Sequence, residues 1–285
     1  MNQEKNIIGV SYVGQPQNNT VMYITKKVEY LINNLNNVSN CKIFVENNIN
    51  VPKEIEKNND IVRCESPQLD YVTFVKEIET QINNKSRKYI CENNSYIGEN
   101  VSIGNNTIIE PGCLIGHDVQ IGENAYIKSG TKIKKSIIGD NFISGENSTI
   151  GTLGFTMTED NEGNKIRIPT LGKIIIGNNV EIGALTNISC GSAGDTIIED
   201  NVKIDSLVYI GHDVHLHKNV EIPAGAIIGG FDEIKEGAYV GINAAIKNRK
   251  IIGENAIVGM GAVVIKNVED NQVVIGNPAK PLIKK

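Results

Sequence analysis

The 285-residue chain has a formal net charge of −5, with 28 Lys and Arg against 33 Asp and Glu, so its charge gives no reason to expect nucleic acid as a partner. Its 28 glycines and lack of tryptophan suit many tight corners better than one large aromatic core. The five cysteines, Cys41, Cys64, Cys91, Cys113 and Cys190, are odd in number, widely spaced and without a CxxC pair, which argues for reduced thiols and against a disulfide framework or zinc cage.

The polar start MNQEKNIIGVSYVG lacks a long apolar segment, so no membrane insertion is expected and the predicted location is the cytoplasm. Residues 1–88 read as a small α/β domain. Ile7 to Val13 and Lys42 to Val45 are short apolar runs bounded by Asn and Gly, which predicts strands. Ser66-Pro67 reads as an N-cap with proline in the first helical position, and Tyr71, Phe74, Val75, Ile78 and Ile82 recur at three and four, which predicts an amphipathic helix. The polar stretch from Asn83 to Lys88 is a natural boundary.

A six-residue period starts at Ile97 and runs through Ile103, Ile109, Ile115, Ile121, Ile127 and Ile133. One residue is lost near Ser136, and the count resumes at Ile138, Ser144 and Ile150. From Ile198 to Val264 it passes through Ile204, Ile210, Leu216, Ile222, Ile228, Ile234, Val240, Ile246, Ile252 and Val258 without a slip. No helix has a period of six. The pattern predicts a mainly β chain whose residues 89–268 form a parallel β-solenoid, with three flat faces per coil and each ladder residue stacked on its equivalent one coil away. A tail follows at 269–285. Two interruptions, Thr152 to Lys173 and Ser192 to Thr196, break the period; the first reads as a hairpin projecting from a corner around Gly163.

The isoleucine-led hexapeptides resemble the left-handed β-helix acyltransferases, a homotrimeric family. Residues 150–248 are similar to the N-acyltransferase of lipid A synthesis, which acylates a UDP-3-O-acylglucosamine. The resemblance is carried by Gly154-Phe155, Lys165-Ile166-Arg167-Ile168-Pro169, Ile174-Ile175-Ile176-Gly177, Val180 to Ala184, Asp195 to Ile198, and Lys203-Ile204-Asp205 leading to His212. Ser66 to Tyr71 resembles that family's nucleotide-binding domain, with Ser66-Pro67 where the motif normally begins Asn-Pro. The lipid A enzyme has a second histidine where this chain reads Lys247-Asn248-Arg249, and continues into a helical extension that engages acyl carrier protein. The ending here, with Gly276-Asn277-Pro278-Ala279-Lys280, resembles instead the CoA-dependent hexapeptide acetyltransferases. The resemblance thus implies a homotrimeric N-acyltransferase moving a short acyl group, of acetyl or hydroxybutyryl type, from acyl-CoA to the amine of a dTDP- or UDP-linked deoxyamino sugar for surface glycan synthesis. The alternatives are an acyl carrier protein-dependent enzyme of the lipid A type, an O-acetyltransferase, and a non-catalytic solenoid binding module.

Acyl transfer to an amine needs a base for the departing proton and donors for the oxyanion. Histidine suits the first role because its ordinary pKa, about 6.5, leaves it mostly neutral at cytosolic pH. His212, in Ile210-Gly211-His212-Asp213-Val214, lies on the most regular part of the ladder and is the expected base. Asp205 and Asp213 are both candidates to orient it, and Asp205 also to bind the sugar. Ile115-Gly116-His117-Asp118-Val119 repeats the pentapeptide, but on an early coil, so His117 reads as structural. The resemblance adds Tyr71 and Phe155 as substrate-binding residues. For coenzyme A it implies Gly241, Gly259, Gly261 and Ala262 beside the pantetheine arm, with Lys266, Lys280, Lys284 and Lys285 near the phosphates. His212 and His217 have the H-x4-H spacing of a metal pair, but a third ligand is lacking, where the chain has Ile176; no metal is expected.

Overall fold

The computed structural model describes residue 7, residues 9–83 and residues 86–282. Ile8, the boundary residues Asn84 and Lys85, and the terminal Lys284 and Lys285 lie outside the described residues. The chain divides into two compact units: residues 1–86 with 155–172 and 192–194, and residues 87–154 with 173–191 and 195–285.

In the first unit, β1 (Gly9–Val10), β2 (Thr20–Ile24), β3 (Lys42–Glu46) and β4 (Asp60–Cys64) form a parallel sheet in that order. A 3-10 helix, Lys26–Asn37, links β2 to β3; α1 (Lys53–Asn58) links β3 to β4, and α2 (Pro67–Asn83) follows. Alternate strand residues face opposite ways. Met22, Ile24, Ile43 and Val45 pack with Leu35, Val38 and Ile55, while Val21, Tyr23 and Phe44 pack with Tyr71, Val72 and Val75 of α2. Helix α2 starts where Ser66-Pro67 predicts, the Ser66 carbonyl accepting the Leu69 and Asp70 N–H groups. The strand expected over 7–13 is limited to Gly9–Val10 because the chain turns at once, Gln15 N–H returning to the Tyr12 carbonyl. Neither β2 nor β4 follows from the sequence reading. β2 is covered on both faces and shows no alternation, and the five residues of the edge strand β4 are too few to reveal a period.

The segment 152–173 corrects one expectation. Met157–Glu159 pairs antiparallel with Lys165–Arg167, as a hairpin should. The hairpin is not an ornament on the solenoid, however. Its Ile168 is buried, and Ile166 and Leu171 are partly buried, in one cluster with Val21, Phe44 and Tyr71. Residues 155–172 therefore complete the core of the first unit, covering a sheet face together with α2.

The second unit is a parallel β-helix whose register follows the ladder. On one face Ile97, Ile115, Ile133, Ile150, Ile188, Ile210, Ile228, Ile246 and Val264 stack in succession; the second carries Ile103 to Ile252 and the third Ile109 to Val274. The 17-residue step from Ile133 to Ile150 absorbs the residue lost near Ser136. The faces hold eight, ten and ten strands, the first of the longer faces starting with an antiparallel strand, Ile90–Glu92, and the other ending with one, Lys280–Pro281. Each of these terminal strands covers one end of its face. Ladder residues from Ile115 onward are almost wholly buried. Among the described residues no helix is long and apolar enough to cross a membrane.

Each ladder residue thus fills a slot defined by two neighbouring coils, and truncation leaves a cavity. Ile228→Ala should cost about 2–4 kcal/mol in denaturant unfolding, whereas Glu221→Gln, on an outward position, should change stability by less than about 0.5 kcal/mol.

Candidate active site

The corners of the β-helix require a left-handed backbone at every sixth residue. Asp213 (φ 58°), Phe231 (φ 63°) and Arg249 (φ 61°) occupy that position on successive coils of one edge. Parallel hydrogen bonds hold them there: Phe231 N–H donates to the His212 carbonyl and Arg249 N–H to the Gly230 carbonyl. Left-handed backbone is uncommon for a residue as bulky as Phe and costs of order 1–3 kcal/mol, so such positions cluster at functional sites.

His212 sits on this edge, its side chain 15% exposed. Its Nδ1 lies 2.7 Å from Asp213 Oδ2, and Asp213 is in turn fixed by its own N–H, which donates to Thr196 Oγ1 at 3.0 Å. With Asp213 ionised, Nδ1 carries the hydrogen and Nε2 the basic lone pair. Phe231 meets the imidazole edge-on at 5.2 Å and 90°, and the Arg249 guanidinium lies 4.0 Å from the Phe231 ring centroid. Two glycines give the imidazole its room. A Cβ at Gly230 would lie 2.7 Å from His212 Cε1 and Nε2, and one at Gly154 3.0 Å from His212 Cβ.

The exact copy of this pentapeptide at Ile115 to Val119 has different partners. His117 Nδ1 accepts the Glu99 N–H at 2.8 Å and its ring leans on Tyr89, while Asp118 pairs with Arg87 and Asn100. The carboxylate next to His117 is thus committed elsewhere, and the Nδ1 lone pair is spent on the backbone. His117 is therefore not arranged as a base backed by a carboxylate.

The remaining expected residues fall into separate groups. Asp205 follows strand Lys203–Ile204 and His212 follows strand Tyr209–Ile210, so the two occupy neighbouring edges of the prism. Asp205 Oδ1 accepts the Ser206 N–H at 2.6 Å, and the residue lines a shallow groove of about 460 Å³ with Lys203, Ser206 and Pro223. Gly241 and Gly259 end strands on the same face as Asp205 and approach the next coil closely: a Cβ would lie 2.7 Å from Met260 N and from Ile275 Cγ2, respectively. Gly261 takes φ +65° and faces open space, and Ala262 is buried, its N–H donating to the Gly259 carbonyl. Lys266 shares the His212 edge three coils further on, and Lys280 belongs to the last antiparallel strand. A single column thus brings Asp213 to His212 but not Asp205.

The first unit separates its two candidates. Tyr71 is 2% exposed, with its ring 5.1 Å from Tyr23, so this side chain belongs to the core and offers no substrate surface. Phe155 is 71% exposed, and the Arg167 guanidinium lies 5.3 Å from its ring centroid. His217, which the spacing coupled to His212, is stacked instead on His215 at 3.9 Å.

Sequence reasoning missed Gly230, Phe231 and Asp232. The signal was available, because Gly230-Phe231 replaces the His-Asp pair one coil above His212. Asp232 is 1% exposed and takes the inward place that Val214 fills one coil below. Its Oδ1 accepts the Lys250 N–H at 2.7 Å, and its Oδ2 has no hydrogen-bond partner. Burial pushes this carboxyl up to about 8.

The pattern of the bacterial transferase hexapeptide (six repeats) family matches residues 100–135 and 195–230. UDP-3-O-acylglucosamine N-acyltransferase 2 of Legionella pneumophila (strain Paris) is 40% identical over 147 residues, 52% of this chain and 43% of that protein. The UDP-3-O-acylglucosamine N-acyltransferase of Cytophaga hutchinsonii is 47% identical over 81 residues, 28% of this chain and 23% of that one. The match covers less than half the length of these relatives. Among solved structures, the UDP-N-acetylglucosamine acyltransferases of Campylobacter jejuni and Francisella novicida superpose with TM-scores of 0.60 and 0.61 at 22% and 24% identity. They cover 67% and 68% of this chain, and it covers 73% and 70% of theirs. Those likenesses establish the left-handed β-helix fold.

The unmatched Asp232 oxygen sets a pH dependence. Its folded pKa stands above the unfolded carboxylate value of about 3.9, so between about pH 4 and 8 the folded state keeps a proton that the unfolded state has lost. The stability it contributes is complete below pH 4 and is lost as pH rises through 8. Asp232→Asn removes that slope. Its melting temperature should stand close to wild type at pH 4.5 and several degrees above it at pH 8; a constant difference would exclude a buried titrating carboxyl.

Proposed function

We propose that this left-handed β-helix of transferase hexapeptide repeats is a sugar N-acyltransferase, moving an acyl group from a phosphopantetheine thioester to the amine of a UDP-linked amino sugar. The observation that carries the reading is the His212–Asp213 pair, a carboxylate on Nδ1 that leaves Nε2 as the basic atom. Identity to UDP-3-O-acylglucosamine N-acyltransferases supports the acceptor and favours the lipid A-type alternative over short-chain transfer from CoA to a dTDP sugar. CoA and acyl carrier protein present the same phosphopantetheine arm, so the chemistry at the amine is common to both.

In the reaction the amine nitrogen attacks the thioester carbonyl carbon while His212 Nε2 takes a proton from that nitrogen. Asp213 holds the Nδ1 hydrogen and stabilises the imidazolium as it forms. The C–N bond replaces the C–S bond, and the imidazolium returns its proton to the departing sulfur. Phe231 and Gly230 keep the ring in one orientation, the first by edge contact and the second by leaving space. On the Asp205 edge, the glycine corners at Gly241 and Gly259 suit close passage of a pantetheine arm. In the first unit, the exposed Phe155 with Arg167 beside it suits stacking on a base with a cation toward the diphosphate.

Asp205 and His212 occupy different edges of one column, so joint action requires two columns edge to edge. This supports a homotrimer with sites between subunits.

The base assignment is tested by turnover with UDP-3-O-acylglucosamine and matched hydroxyacyl donors on acyl carrier protein and on CoA, with acetyl-CoA and a dTDP-amino sugar as the rival arms. His212→Ala should lower kcat by about 10²- to 10⁴-fold, with a smaller loss for Asp213→Asn, while His117→Ala stays within about threefold of wild type. An equal loss for His117→Ala overturns the assignment. The shared site makes a second prediction: inactive His212→Ala and Asp205→Ala chains, unfolded and refolded together, should regain activity, since one column then supplies the histidine and its neighbour the aspartate. No recovery in mixed trimers would place both residues in one subunit's site.

A further inference from the structure

On the face that follows the His212 edge, four outward side chains from three successive coils converge. His215 and Glu233 are register partners one coil apart, and Glu199 stands one coil below His217. His215 Nε2 lies 2.7 Å from Glu199 Oε1, His217 Nδ1 lies 3.3 Å from the same oxygen, and His217 Nε2 lies 3.0 Å from Glu233 Oε1. The Glu199 carboxylate is anchored by the Lys218 N–H on its other oxygen, and Lys235 Nζ pairs with Glu233.

Lys235 offsets the charge of Glu233, whereas among the described residues Glu199 meets no Lys or Arg side chain. A neutral imidazole has one N–H, yet both ring nitrogens of His217 face carboxylate oxygens, so one carboxylate confronts a lone pair unless a cation intervenes. The two imidazoles are stacked 3.9 Å apart at 21°.

We propose that Glu199, His215 and His217 form a binding site for a divalent transition metal of the zinc class, with Glu233 as a fourth ligand or a carboxylate held beside it. One ligand atom from each of the three residues lies within 4.8 Å of the others. Two ligand atoms on one tetrahedral zinc stand roughly 3.4 Å apart, given bonds of about 2.1 Å, so small side-chain rotations suffice. Two imidazoles and a carboxylate match the ligand preferences of zinc, cobalt and nickel and not those of calcium or magnesium. All four side chains are partly exposed, which provides an entry path and room for a water ligand. With ligands on adjacent coils, the metal acts as a staple across neighbouring strands.

The test uses the full chain after EDTA treatment and desalting. Titration with ZnCl2 in calorimetry should give one saturable site per chain, and the melting temperature should rise by several degrees at saturation. Cobalt(II) should add visible d–d absorption in the range of four- or five-coordinate nitrogen and oxygen ligation, which zinc then removes. His215→Ala, His217→Ala and Glu199→Gln should each weaken binding at least tenfold, and His212→Ala should not. Circular dichroism and melting without metal confirm that the variants are folded. Absence of a one-to-one site, loss of binding with His212→Ala, or binding unchanged in the His215→Ala/His217→Ala double variant would overturn the proposal.

Discussion

In the second unit every inward side chain rests on its equivalent one coil away, and the parallel hydrogen bonds between coils make that contact obligatory. All else on the column follows from this stacking. The chain must turn within a fixed number of residues, so each corner carries a left-handed residue, and a short polar side chain or glycine meets that demand at least cost. Asn does so repeatedly, and the stacked side chains bond to one another, as in Asn100 to Asp118, Asn106 to Asn124 and Asn141 to Asn179. The exceptions then become informative. Of the left-handed non-glycine residues described in the β-helix, only Lys135, Leu185, Leu207, Phe231 and Arg249 are neither Asn nor Asp. Leu185 and Leu207 are exposed on the edge that bears Asp205, and Phe231 and Arg249 stand over His212. Strain has been accepted where a large side chain serves something other than the turn.

The two histidine pentapeptides show how stacking controls chemistry. Ile115 to Val119 and Ile210 to Val214 are identical residue for residue, and both place an aspartate after the histidine in left-handed backbone. Their neighbours differ. Arg87 withdraws Asp118, and the Glu99 N–H takes His117 Nδ1. At the upper site the coil above supplies Gly230, which makes room, and Phe231, which braces the ring, while Thr196 orients the aspartate backbone. The imidazole is the same, and the coil around it decides which nitrogen remains basic.

The ladder, its one-residue deletion and its two interruptions were legible in the sequence because periodic burial writes itself into every sixth residue. His212 with Asp213 was legible as a candidate pair for the same reason. The first unit was less so. β2 is apolar on both faces and has no period, and Tyr71, which reads as a motif residue, is buried because α2 and the hairpin close over one sheet face. The partition of the 152–173 segment was hidden as well: a hairpin's own sequence gives its turn but not the surface it covers. Asp232 lay in plain view at an inward position, yet a carboxyl there contradicts burial, and only the register shows that the Lys250 N–H meets one oxygen and leaves the other unmatched.

A β-helix sequence is best read in two dimensions, along the chain and across coils. Linear spacing coupled His212 to His217 by the H-x4-H pattern, but these residues lie on an edge and on a flat face. His215 and His217 alternate with inward Leu216, so they share the outward side of one strand. Reading across coils then places Glu199 eighteen residues before His217 and Glu233 eighteen after His215, which assembles the carboxylate–imidazole cluster from the sequence alone. The same step turns His212 toward Gly230 and not toward Asp205. Side-chain neighbourhoods on this fold are therefore set by the coil period, and a motif confined to one stretch of chain describes only half of any site built upon it.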